Sequence, residues 1–425
     1  MKSSNKFKFV GKRQIAVFAA SALLPLSSIA ASQPPADPDT EQAQRGAYLA
    51  RAGNCMGCHT TRGGKPYAGG RVLKTPFGEF VSPNITPDNE TGIGRWGEED
   101  FWQALHYGKG RDGSYLYPVF PYTEYTKVTR QDADAIFAYL RSLSPIAQSN
   151  PPHKISAPYD NQFLLFLWRT WYFKEGVYEP DGSQSDEWNR GNYLVQGLGH
   201  CNACHTPRNV WGASQDDKLA GGEIMGTYWY APSLISPREA GMGEWSVDEI
   251  AKLLSTGVTD HAVTSGPMAT IVRQSLQYLS KEDMRAMAVY LQSLGEKRGE
   301  EAPKKTSPMP ERVSKYLALG KPVYEKHCQE CHGKSGEGVP GIYPPLAGNR
   351  NVTMTSSHNT IRSVLYGGFP PVTAGNPRPY GMPPFQHIIR DNEIAWVVSY
   401  IRNTWGNLGS LVSPEEVDAS RGNEF

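Results

Sequence analysis

Three short stretches of the 425-residue chain set two cysteines three positions apart, with a histidine directly behind the second. They are Cys55, Cys58 and His59 in NCMGCHT, Cys201, Cys204 and His205 in HCNACHT, and Cys328, Cys331 and His332 in HCQECHG. Thiols at that spacing share one helical turn, so both can bond to the two vinyl groups of one haem while the adjacent imidazole reaches the iron. The three motifs use all six cysteines. A structural zinc site would need two further Cys or His ligands close by, and none follows any of the motifs. A disulfide framework gives no reason for a histidine after each second cysteine. The expected chemistry is one-electron transfer through three covalently bound haem c groups, with His59, His205 and His332 as iron ligands.

A haem attached in this way needs a helix to carry the motif, a second helix packed across the first, and loops that wrap the porphyrin. The sequence repeats such a unit. RGAYLARAGNCMGCHT (45–60) matches RGNYLVQGLGHCNACHT (190–206), each an amphipathic helix running into its motif. Gly-rich loops follow at Ala68-Gly69-Gly70 and Ala220-Gly221-Gly222. Next come proline-led turns, SPNITPDNETGIGRW and APSLISPREAGMGEW, with Trp96 and Trp245 in register. Each unit closes with apolar residues at three-to-four spacing, over 128–143 and 279–294, which predicts a closing helix. A third, shorter unit runs from Ala318 to His332, through YPPLAGN (343–349), to a closing helix from Asp391 to Trp405. The fold class expected is all-α with long loops.

Opposite the histidine, electron-transfer haems usually carry a methionine sulfur, which raises the potential. In unit two Met268, in SGPMATIV just ahead of the closing helix, is preferred over Met225 and Met242. In unit three Met382, in YGMPPF, is preferred over Met354. Unit one has no counterpart. Phe120-Pro121 stands where Met382-Pro383 stands, Met56 lies inside the attachment loop, and no methionine follows His59 within the unit. His106 and His153 remain as nitrogen candidates, and the sixth position of that iron stays open.

The first 30 residues carry Lys2, Lys6, Lys8, Lys12 and Arg13, an apolar run from Ile15 to Leu26, and small residues at Ser28-Ile29-Ala30. This reads as a secretory signal peptide, too short in its apolar run to span a bilayer. Its removal leaves 38 basic against 42 acidic residues. That balance argues against nucleic-acid binding. Residues 148–184 form a hydrophobic connector containing NQFLLFLWRTWYF, a helix apolar nearly all round and expected to be buried between units one and two. Residues 299–310, charged and proline-rich, read as a linker, and 409–425 as a tail.

The chain resembles the triheme cytochrome c subunits of bacterial membrane-bound dehydrogenases of the alcohol, gluconate and aldehyde type. The likeness rests on EWNRGNYLVQGLGHCNACHTPRN, GRDGSYLYP, YPPLAGN and IRNTWGN. It implies three tandem class-I-like cytochrome c domains, over 40–147, 185–298 and 311–408. It implies a periplasmic subunit attached to the face of the cytoplasmic membrane. Such a subunit takes electrons from a quinoprotein, flavoprotein or molybdenum dehydrogenase and passes them to ubiquinone. Phe120 departs from the pattern, since several alcohol-dehydrogenase-type members carry Met there. No dinucleotide fingerprint, nucleophile elbow or paired-acid motif points to a substrate site of the chain's own. A stand-alone multihaem enzyme of peroxidase type and a free periplasmic shuttle are the alternative readings.

Overall fold

A computed structural model describes residue 37 and residues 40–215, 219–260, 262–296 and 311–422. The expected export signal (1–30) and linker (299–310) lie outside the described residues. In unit one, α1 (Glu41–Ala52) begins at Thr40, whose hydroxyl accepts the Ala43 N–H. It is followed by α2 (Glu98–Tyr107) and by α3 (Arg130–Ser142), capped by the Thr129 hydroxyl. Helix α4 (Gln162–Tyr172) occupies the connector. Unit two holds α5 (Asp186–Asn192), α6 (Val247–Thr256), α7 (Gly266–Gln274) and α8 (Lys281–Leu294). Unit three holds α9 (Glu311–His327), α10 (His358–Tyr366) and α11 (Asp391–Arg402). Single helical turns carry the motifs, at Cys55–Cys58, Asn202–His205 and Gln329–His332.

One helix crossing recurs in each unit: α1 on α3, α5 on α8, α9 on α11. A glycine sits at each contact. A Cβ on Gly46 would lie 1.8 Å from the Ala135 carbonyl oxygen, one on Gly191 2.0 Å from that of Ala286, and one on Gly320 2.2 Å from that of Trp396. The next obstacle is each time a tyrosine Cβ on the closing helix, Tyr139, Tyr290 or Tyr400. Only hydrogen fits between these backbones, which lets each motif-bearing helix lie directly on its partner. Arg190 to Cys201 is one residue longer than Arg45 to Cys55, and unit two absorbs it as a π-helix over Tyr193–Leu198. A π-turn takes an extra residue without ending the helix, so both cysteines keep their place.

Units one and two share one hydrophobic core, in which Leu49, Ile136 and Leu140 meet Leu194, Leu198, Ile250 and Leu291. Unit three has its own, around Tyr324, Ile361, Leu365, Ile394, Val398 and Ile401. Two small antiparallel sheets add to the helices. Val72–Thr75 (β1) pairs with Gly78–Val81 (β2), which pairs with Lys154–Ile155 (β3), and Gly222–Glu223 (β4) pairs with Tyr230–Ala231 (β5). These strands lie in the wrapping loops, so the all-α expectation holds for the core and not for the loops.

The connector helix departs from its expected burial. Only Leu165 and Arg169 of α4 are buried. Arg169 turns inward, donating to the Tyr107 carbonyl at 2.6 Å and stacking on Tyr115, Tyr122 and Phe173. The opposite side, with Phe163 64% and Trp171 72% exposed, faces outward. The charge thus anchors the helix while its apolar stripe is left uncovered.

Candidate functional site

Each motif histidine is fixed in the same way. His59 Nδ1 lies 2.8 Å from the Pro83 carbonyl oxygen, His205 Nδ1 2.8 Å from that of Pro232, and His332 Nδ1 3.1 Å from that of Pro344. A carbonyl can only accept, so Nδ1 carries the proton and Nε2 keeps its lone pair free for a metal. Burial pushes all three imidazoles down from their ordinary pKa, against the opposing carbonyl bond, which keeps them neutral.

A glycine in the left-handed region brings each proline to its histidine. Gly69, Gly221 and Gly338, with φ of 76°, 85° and 65°, donate their N–H to the carbonyls of His59, His205 and His332 at 2.8, 2.6 and 2.9 Å. A Cβ on any of them would press into backbone of the opposing turn: Pro83, Ser233 and Pro232, or Tyr343 and Pro344. The Gly-rich loops of units one and two, and Gly338 in unit three, therefore have a definite task, which is to lay a proline carbonyl on a motif imidazole.

The cysteines stand in pairs on single turns, and none is in a disulfide. In units one and two an arginine braces the turn one residue before the second cysteine. Arg71 donates to the Gly57 carbonyl at 2.5 Å, and Arg208 to the Ala203 carbonyl at 2.9 Å. Paired thiols beside an imidazole whose Nε2 is free fit the donor set of a covalently attached haem in all three units. A haem bound there supplies one-electron redox chemistry, and these residues fix its orientation and iron ligand.

Units one and two are clamped together around their motifs by a reciprocal pair of contacts. Arg45 binds Asp132 within unit one, and Arg190 binds Asp283 within unit two at 2.7 and 2.8 Å. Tyr193 of unit two then donates to Asp132 at 2.6 Å, and Tyr48 of unit one donates to Asp283 at 2.5 Å. The repeated Arg-Gly-x-Tyr thus serves its own unit with the arginine and the other with the tyrosine. Next to this clamp, the Gly53 carbonyl accepts from Tyr125 at 3.0 Å and from His200 Nε2 at 3.3 Å, one residue before Cys201. The two attachment turns are neighbours, since the His200 bond joins the residue before Cys201 to the one two residues before Cys55.

Met268 lies in α7, partly buried against the shared core, and Met382 is partly buried against the unit-three core. Of the other methionines, Met242 is buried within the shared core, and Met354 is buried, its backbone carbonyl accepting from Arg402 at 3.0 Å. Met225 lies beside Gly212, near the Phe77 ring.

The cytochrome c family model matches residues 43–144 and 317–405. The chain is 41% identical over 367 residues to a nicotinate dehydrogenase subunit of Pseudomonas putida, covering 85% of this chain and 30% of that longer protein. It is 38% identical over 385 residues to the cytochrome c subunit of alcohol dehydrogenase (quinone) from Gluconobacter oxydans, covering 87% of this chain and 80% of the relative. The chain belongs to the family of dehydrogenase cytochrome c subunits. A diheme cytochrome c-type protein of Cereibacter sphaeroides is also 38% identical, over 59% of this chain and 86% of its own length. As a cytochrome subunit the chain binds haem c covalently and works in electron transfer.

Sequence reasoning found the cysteines and histidines of this cytochrome subunit but assigned no role to Pro83, Pro232 or Pro344. The signal was present as a proline opening each turn. The pairing with a histidine was not visible, because the intervening loops differ in length.

Proposed function

We propose that this cytochrome subunit is a three-haem relay. It passes electrons from a catalytic dehydrogenase subunit of quinoprotein, flavoprotein or molybdenum type to ubiquinone at the periplasmic face of the cytoplasmic membrane. The observation that carries the count is the threefold recurrence of paired thiols, proline-bound imidazole and left-handed glycine. The same recurrence, with the glycine at each helix crossing, supports three tandem cytochrome c domains over 40–147, 185–298 and 311–408. Cys55, Cys58, Cys201, Cys204, Cys328 and Cys331 attach the haems. His59, His205 and His332 bind the irons on one side, and Met268 and Met382 bind those of the second and third haems on the other.

The abutting attachment turns of units one and two support rapid exchange between their haems, because a rigid, short separation is what electron transfer needs. The relative from Gluconobacter oxydans bears a quinone in its name, which supports a quinone acceptor here. Ubiquinone dissolves in the bilayer, so its reductant must touch the membrane. No helix among the described residues is long and apolar enough to cross one. Helix α4, about 16 Å long at 1.5 Å per residue, is far short of a ~30 Å hydrocarbon core. Its outward-facing Phe163, Leu164, Phe166 and Trp171 suit peripheral insertion at the lipid interface.

The test is purification of the native protein from membranes. About three haem additions in its mass, together with a co-purifying catalytic subunit and quinone-dependent reoxidation, are expected. Two or fewer additions in mature protein would overturn the relay.

A further inference from the structure

Resting on the three-haem reading, we infer that the first haem has no protein ligand opposite His59, so that its iron is a binding site for a small exogenous ligand such as carbon monoxide. Units one and two share a register in the loop that follows α2 and α6. Helices α2 and α6 both end at a glycine in the left-handed region, Gly108 and Gly257. The carbonyl of each accepts an N–H from the returning loop, Leu116 in unit one and Thr264 in unit two, both at 2.8 Å. Four residues beyond that bond stands Phe120 in unit one and Met268 in unit two. Both side chains are partly buried against the same core. Phe120 therefore occupies the position that elsewhere offers sulfur, with a ring that has no lone pair to give.

The nitrogen alternatives are held in place, His153 by a hydrogen bond and His106 by burial between aromatic rings. His153 Nδ1 accepts the Val81 N–H at 3.1 Å, so in the neutral ring Nε2 carries the proton and has nothing to donate to a metal. Its ring is packed against Phe80 and Tyr117. His106 is buried in the last turn of α2, stacked on Trp102 at 4.3 Å with an interplanar angle of 9° and met edge-on by Tyr107. Its Nδ1 faces the Thr126 hydroxyl at 3.4 Å. His200 turns Nε2 to the Gly53 carbonyl. No methionine follows His59 within unit one. Phe120 packs against Tyr125, whose hydroxyl is engaged by that same Gly53 carbonyl, so the neighbourhood is aromatic and offers an apolar diatomic molecule no competing donor.

The experiment is a carbon monoxide difference spectrum of the dithionite-reduced, full-length holoprotein, with the high-spin ferric signal of the oxidised protein measured beside it. Carbon monoxide should bind about one haem in three, and a high-spin fraction of about the same size should be present before any ligand is added. Phe120→Met should abolish both and raise one potential, whereas His106→Ala and His153→Ala should leave both unchanged. If Phe120→Met fails to fold, the native high-spin fraction still decides. An all-low-spin native protein that binds no carbon monoxide would overturn the inference, as would a high-spin signal that appears only when His106 or His153 is removed. Either outcome leaves the relay intact, which falls instead on the haem count.

Discussion

Removing the two tyrosine hydroxyls that clamp units one and two should destabilise the pair without touching a thiol or an iron ligand. In Tyr48→Phe, Asp283 loses a 2.5 Å bond but keeps both bonds from Arg190. In Tyr193→Phe, Asp132 loses a 2.6 Å bond but keeps Arg45. A hydrogen bond to a charged group contributes about 1.5–3 kcal/mol, and the remaining arginine places each loss at the lower end, about 1.5 kcal/mol. Additive losses make the double variant about 3 kcal/mol less stable. For a cooperative unit of about 250 residues that lowers Tm by about 6–12 °C, readable from the haem bands of the holoprotein on heating. The penalty for Tyr48→Phe also depends on pH. Burial pushes Asp283 up, but the bonds from Arg190 and Tyr48 outweigh it and hold the carboxyl below its usual value. That depressed pKa contributes stability above the unfolded carboxylate value near ~3.9, and the contribution is lost as pH falls through the folded value. The gap between native protein and Tyr48→Phe should accordingly narrow in acid. A double variant melting within about 2 °C of the native protein at neutral pH would refute the clamp.

Met268→Ala and Met382→Ala should each lower the potential of one haem and remove its sulfur-to-iron absorption while attachment survives; three unchanged potentials in a redox titration would reject that ligand. Gly320→Ala places a Cβ 2.2 Å from the Trp396 carbonyl oxygen, and overpacking of about 1–3 kcal/mol should exceed the ~1 kcal/mol gained from helix propensity. The expected result is a lower melting temperature for unit three, and an unchanged or raised one would contradict the crossing. Replacing the exposed Phe163 and Trp171 by Glu should shift the protein from sedimenting with lipid vesicles to the supernatant, with its haem spectrum unaltered. Retention on vesicles would show that another surface makes the contact.

Features that depend on local spacing were legible in the amino-acid order alone. Three Cys-x-x-Cys-His turns specify where thiols and imidazoles stand, because one helical turn is enough to bring them together. The repeated 45–60 and 190–206 segments and the apolar spacing over 128–143 and 279–294 likewise marked the helices that carry and cover them, the covering ones running Arg130–Ser142 and Lys281–Leu294. Whatever rests on contacts between distant segments emerged only in the folded chain. The glycines that lay a proline carbonyl on each histidine stand ten, sixteen and six residues after it, so no fixed interval marks them. The tyrosine of each Arg-Gly-x-Tyr serves the other unit, 235 residues away for Tyr48 and Asp283 and 61 for Tyr193 and Asp132, and no local pattern encodes that exchange. Helix α4 is apolar nearly all round, which as a pattern means burial. Its stripe stays open because Arg169, its only charge, finds carbonyls and aromatic rings on the inner side and so sets which face points outward.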